Sequence, residues 1–127
     1  MKKSILLFLL IFLIPSVSIA RNYWGALAYD KQTGRTTYSK NHYTAYKAKR
    51  AALHRCGRHC RIISTYVNTC IAMAKGHHGA YGIGKSRNLR RAQQSSRRQC
   101  RHRGRSCRVV VSSCNARRHY RRPVRHH

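Results

Sequence analysis

Small and apolar positions fall on one side of a helix twice along the chain. Ala45, Ala48, Ala52 and Cys56 stand at i, i+3, i+7 and i+11, and Leu89, Ala92, Ser96 and Cys100 repeat that spacing. Such a stripe predicts a helix through each set. Asn41 and Ser86 hold equivalent places just ahead, where Thr44 and Asn88 compete with them as N-caps. Gly57 is placed to end the first helix. The small side chains in both stripes let a helix lie close to a sheet.

Strand patterns surround each helix. Trp24-Gly25-Ala26-Leu27-Ala28-Tyr29 corresponds to Cys70-Ile71-Ala72-Met73-Ala74-Lys75. A glycine-bearing turn follows in both halves, and the run Gly34–Lys40 matches Gly79–Lys85, so each half opens with a hairpin. After the helix, Arg61–Val67 is β-branched and aromatic, and Arg108–Ser112 matches it. The chain therefore reads as α+β: two β-β-α-β pseudo-repeats forming one disulfide-stapled domain with six short strands and two helices. Neither half is expected to bury its helix face alone, so one shared core is expected.

The start of the chain changes the picture of where this domain works. Lys2 and Lys3 precede an unbroken apolar run, Ile5–Ile14, then Pro15 and the small-residue site Ser18-Ile19-Ala20. The run is shorter than the ~17–25 residues of a spanning helix. It reads as a secretory signal peptide over residues 1–20. The stapled domain is expected over 21–115 and a basic disordered tail over 116–127. The mature protein is expected to be periplasmic or secreted, with no integral membrane segment.

In such a compartment thiols pair. The chain has 6 cysteines, which allow 15 pairings. The repeat suggests one of them. Cys56 and Cys60 bracket the turn from helix to third strand, and Cys100 and Cys107 bracket its counterpart. Cys70 and Cys114 remain, and would tie the start of the second half to the end of the last strand. Zinc held by His54, Cys56, His59 and Cys60 is the rival reading. Its C-x3-C spacing lacks the second, similarly spaced pair of structural zinc sites.

Taken together, several segments resemble a known bacterial family. They are WGALAY at Trp24–Tyr29, A-x6-A-x3-C ending at Cys56, CRII at Cys60–Ile63, CIAMA at Cys70–Ala74, GAYGIG at Gly79–Gly84 and CRVVV-x-x-C at Cys107–Cys114. The chain is similar over Arg21–Cys114 to the domain of unknown function 4189 family. That resemblance implies a small, exported, cysteine-paired bacterial domain, with no agreed activity and no catalytic residues to carry over. Where the family's helices are acidic and alanine-rich, this chain places Lys, Arg and Gln.

Charge narrows the chemistry. Lys and Arg number 28 against 1 acidic residue, Asp30, for a net charge of +27. Glycoside hydrolysis by paired carboxylates is excluded. Triads that need an acid behind the histidine, and calcium or magnesium sites, have almost nothing to draw on. An acid–base ribonuclease built from His54, His59, His77 and Lys75 needs no carboxylate, but no spacing singles out a pair. His77-His78 and His126-His127 lack a convergent third ligand, so their metal binding reads as adventitious. No enzyme activity, cofactor or metal is expected.

The cations cluster on the helices and beyond the last cysteine. The expected polyanion-binding residues are Lys47, Arg50, Arg55 and Arg58 in the first half. In the second they are Arg90, Arg91, Arg97, Arg98, Arg101 and Arg103. Arg117, Arg118, Arg121 and Arg122 extend the set into the tail. Without internal neutralisation the field reaches outward over a Debye length, about 8–10 Å at physiological salt. Arginine suits bidentate contact with phosphate. The expected partner is a polyanion: anionic envelope lipid or glycan, or nucleic acid. An acidic protein, which would make this an immunity or inhibitor protein, is the alternative. Tyr43, Tyr46, Tyr66, Tyr81 and Tyr120 are candidate base-stacking residues, although tyrosines more often pack on a sheet.

Overall fold

The structure, a computed structural model, describes residues 21–116. The expected signal peptide, and residues 117–127 of the expected tail, lie outside the described residues. The elements run β1 (Trp24–Tyr29), β2 (Thr36–His42), α1 (Ala45–Cys56), β3 (Arg61–Val67) and β4 (Cys70–Lys75). A 3-10 turn (His77–Gly79), β5 (Tyr81–Ser86), α2 (Leu89–Arg101) and β6 (Arg108–Cys114) complete them. This is β-β-α-β twice, as the repeat predicts. The last strand runs two residues past Ser112, because β6 stays paired with β4 as far as Cys70 opposite Cys114.

Each half makes its own antiparallel three-stranded sheet, ordered β2-β1-β3 and β5-β4-β6. Successive residues of a strand face opposite ways, and the two faces have different partners. Ala26 and Ala28 of β1 pack with Ala48, Ala52 and Cys56 of α1. Leu27 and Tyr29 point the other way, into a cluster with Tyr66, Ile71, Met73 and Val111 from both sheets. In β4, Cys70 and Ala72 meet Ala92, and Ala74 meets Ala80 and Cys100. Ile71 and Met73 join the inter-sheet cluster. The layers are therefore α1, first sheet, second sheet, α2.

This layering corrects the expectation that neither half buries its helix face alone. Each half does bury its helix face, against its own sheet. What neither half can bury alone is the opposite sheet face. Leu27, Ile71 and Met73 are fully buried there and Tyr66 nearly so; each such side chain contributes about 1.5–3 kcal/mol. A buried polar bridge crosses the same interface. The Tyr66 hydroxyl donates to the Ser39 carbonyl at 2.6 Å and lies 2.8 Å from Ser113 Oγ. Burial pushes the Tyr66 phenol pKa up, the Ser113 hydrogen bond pulls it back, and Tyr38 adds a smaller upward push. Asn115 closes the seam: its Nδ2 donates to the Tyr66 carbonyl, and its Oδ1 accepts from the Asn41 N–H.

The two halves bring helix and sheet together in different ways. In the first, Thr37 Oγ1 donates to the Ala52 carbonyl at 2.7 Å and Ser39 Oγ to the Ala48 carbonyl at 2.6 Å. The corresponding β5 residues are Gly82 and Gly84. A Cβ on Gly84 would strike the Ala92 carbonyl oxygen, and one on Gly82 the Ser96 oxygen and Cys100 nitrogen. Hydroxyls bridge a gap in one half, and absent side chains close it in the other.

Thr44 and Asn88 win the competition for N-cap, accepting from the Lys47 and Arg91 N–H groups. Asn41 is instead left-handed, with φ 61°. Its Oδ1 accepts from the Ala116 N–H, so it serves the seam between halves. Ser86 supports the true cap by accepting from the Asn88 N–H. Gly57 ends α1 with φ 108°. The stripes hold at Ala48, Ala52, Cys56, Ala92, Ser96 and Cys100, all buried. Their first members differ: Ala45 is half-buried and Leu89 exposed, each at the first residue of its helix.

All six cysteines are paired, as Cys56–Cys60, Cys70–Cys114 and Cys100–Cys107. This is the pairing the repeat suggests. It also leaves Cys56 and Cys60 bound to each other and not available to zinc.

Candidate polyanion-binding surface

With α1 and α2 as outer layers, each helix turns one stripe inward and leaves the rest to solvent. On α1 the exposed positions include Lys47, Lys49, Arg50 and Arg55, with Arg58 in the turn beyond. On α2 they include Arg90, Arg91, Arg98 and Arg101, and Arg103 and Arg105 continue the patch. Arg97 is half-buried. The structure thus places the expected cations in two patches on opposite faces of the molecule. Arg117, Arg118, Arg121 and Arg122 lie outside the described residues.

Local contacts hold some of these arginines. Arg50 lies over the Tyr46 ring, 5.6 Å from its centre, and Nη1 donates to the Tyr46 hydroxyl. Arg55 Nη1 donates to the Tyr38 carbonyl at 3.3 Å. Such anchoring would lower the conformational entropy lost if these arginines engaged a ligand.

The candidate stacking tyrosines separate by environment. Tyr66 is buried at 1% exposure, and Tyr81 packs on Tyr29 with ring centres 5.3 Å apart. Tyr43 and Tyr46 are 53% and 66% exposed, and Arg21 lies over the Tyr43 ring at 5.0 Å. Among the described candidates only these last two are exposed, and an arginine lies over each ring. Tyr120 lies outside the described residues.

Asp30 is occupied by its own turn. Its Oδ1 accepts from the Gln32 N–H at 2.9 Å and the Thr33 N–H at 3.4 Å. Hydrogen bonds from the Thr33 side chain and the Gln32 backbone lead the effects that hold its pKa below the usual carboxylate value, and His59 adds a smaller pull. A lowered carboxylate pKa stabilises the fold above the unfolded-state pKa, and that contribution is lost as pH falls through the folded-state value. Wild type should therefore melt above Asp30→Asn at pH 7. The gap should close below about pH 4, the ordinary carboxylate range. Thermal unfolding followed by circular dichroism measures it, and a gap independent of pH would contradict the assignment.

Two open clefts lie among the described residues. One, of ≈ 390 Å³, is lined by Tyr29, Asp30, Lys31, Gln32, His59 and Arg61. The other, of ≈ 530 Å³, is lined by Lys75, Gly76, His77, Ser106, Arg108 and Val110. His54 is exposed on α1 and lines neither; His59 lines the first cleft, and His77 and Lys75 the second. Among the described residues no three His, Cys, Asp or Glu side chains group to hold a metal ion. Arg108 does not stand out in the sequence. Only the alignment of Arg61 with Arg108 at the starts of equivalent strands signals it.

No described helix is long and apolar enough to cross a membrane. Three disulfides point to an oxidising environment. Comparison with curated proteins and with solved structures gives no match. The family profile named Domain of unknown function (DUF4189) matches residues 24–114, spanning every strand and helix described above, and the chain belongs to that family.

Proposed function

We propose that this is an exported binding protein that engages polyanions electrostatically, at an anionic envelope surface or on nucleic acid. The observation that carries the reading is the balance of 28 basic residues against 1 acidic one. That one carboxylate is already committed to backbone N–H groups of its own turn. No side-chain counter-charge remains for the arginines of α1 and α2, so counter-ions come from outside. The expected signal peptide and the disulfides support an extracytoplasmic setting.

Salt dependence tests the proposal. Log affinity for duplex DNA should fall linearly with log salt, with a slope of about −0.9 per phosphate neutralised. Vesicles containing phosphatidylglycerol should release the protein over a similar range. Replacing Arg90, Arg91, Arg98 and Arg101 together with glutamine should flatten the slope and leave the circular dichroism spectrum unchanged. Binding that persists undiminished between about 50 and 200 mM salt would overturn the proposal and favour an acidic protein held by a few uncharged anchors.

A further inference from the structure

The two clefts are one feature built twice. Each lies where the first strand of a half ends beside the start of its third strand, with Tyr29 opposite Arg61 and Lys75 opposite Arg108. In each, the register slips just before that pair, between Leu27 and Ala28 and between Met73 and Ala74. A bulge at such a place re-aims the side chains beyond it. In each, a short disulfide loop supplies part of the wall. His59 lies inside the Cys56–Cys60 loop and Ser106 inside the Cys100–Cys107 loop.

Both clefts gather one lysine, one histidine and one arginine. The arginines are equivalent in the repeat, but the lysine and the histidine come from non-equivalent positions, with His59 matching Ser106. Lys31 stands where the second half has His77, and the second half draws its lysine from Lys75, the counterpart of Tyr29. The same chemistry reached from different positions is not what repeat copying alone would leave.

The decisive difference is acidic. The first cleft contains Asp30, while its counterpart in the second is Gly76. A Cβ on Gly76 would meet the Arg105 carbonyl and Cys107 Sγ, so this position has no room for a carboxylate. The described lining of the second cleft carries two cations and no carboxylate. Its lysine is held in place: Nζ donates to the Gly34 carbonyl at 2.7 Å and lies 5.2 Å from the centre of the Tyr29 ring. An ammonium has three donors, and this is the one side-chain hydrogen bond of Lys75 among the described residues. The Arg108 guanidinium adds a planar fork suited to two oxygens of one phosphate, and the Ser106 hydroxyl and His77 imidazole add single donors.

We propose that the cleft formed by Lys75, His77, Ser106 and Arg108 is a discrete binding site for a phosphate group, distinct from the diffuse patches on α1 and α2. It goes beyond the polyanion reading and does not depend on it. Inorganic phosphate is the probe, titrated into the uniformly 15N-labelled full chain and followed by amide chemical shifts. Saturable shifts at Gly76, His77 and Ser106 are expected, with only small, non-saturating drift at the outer faces of α1 and α2. Arg108→Gln should weaken phosphate binding about tenfold, the scale of losing a charge-assisted pair, whereas Arg90→Gln should leave it within about twofold. His77→Gln, at an exposed position, serves as a second cleft variant should Arg108→Gln fold poorly. Glycerol 3-phosphate and uridine 5′-phosphate run in parallel, and the tighter of the two identifies a lipid headgroup or a nucleotide as the source of the phosphate. Shifts spread evenly over the surface, or equal losses in the cleft variants and in Arg90→Gln, would overturn the site. Duplex DNA binding by Arg108→Gln separates the two proposals, because it should retain most of its affinity and salt slope.

Discussion

Serine at both Cys70 and Cys114 should lower the stability of the domain by about 4 kcal/mol. The two residues are 44 apart in sequence, and loop-closure entropy for a cross-link of that span gives this value. Single domains are stable by about 5–15 kcal/mol, so much of the margin goes with one bridge. Neither sulfur is peripheral: Cys70 is buried with Ala72 and Ala92, with Cys114 packed against them. The other two bridges close loops of 4 and 7 residues, worth about 2–2.5 kcal/mol each on the same scale. Urea unfolding of the three double-serine variants measures the order. A Cys56→Ser/Cys60→Ser variant as unstable as Cys70→Ser/Cys114→Ser would show that loop entropy is not what the long bridge supplies.

Alanine at Gly84 should destabilise the second half severely, by about 3 kcal/mol or more, at the upper end of overpacking effects. The obstacle is main chain: the new methyl would meet the Ala92 carbonyl oxygen, with the Ser96 nitrogen also close. A helix backbone cannot swing aside as a flexible side chain does. In the first half the equivalent Ser39→Ala change removes the donor to the Ala48 carbonyl and the acceptor of the Ala26 N–H. That should lower stability by only about 1–3 kcal/mol. Denaturant midpoints of the two variants give the comparison. A Gly84→Ala protein as stable as Ser39→Ala would mean that α2 can move off its sheet without penalty.

The helix stripes show why so much of this fold was legible in the amino-acid order. Alanine, serine and cysteine at every third or fourth position mark a face with no bulk, and the structure presses that face on a sheet. The repeat then supplied the disulfides, because a helix end and the next strand start recur at matched places. The layer order was harder to read. Ala26 and Leu27 are both simply apolar in sequence, and only the sheet's pleat assigns one to α1 and the other to the second sheet. Asn41 resembled a cap because it precedes a helix, but its contact with Asn115 is 74 residues away in sequence. The clefts were hidden for a related reason. Arg61 and Arg108 are two among many arginines until pairing sets them opposite Tyr29 and Lys75.

Because α1 and α2 form the outermost layers on opposite sides, the described residues present a cationic face on each side. Under the proposed polyanion binding, a membrane sheet or nucleic-acid strand seated against one helix would leave the other pointing away, still charged and able to seize a second. On that proposal each bound molecule would be bivalent, a rivet between two surfaces more than a coat upon one.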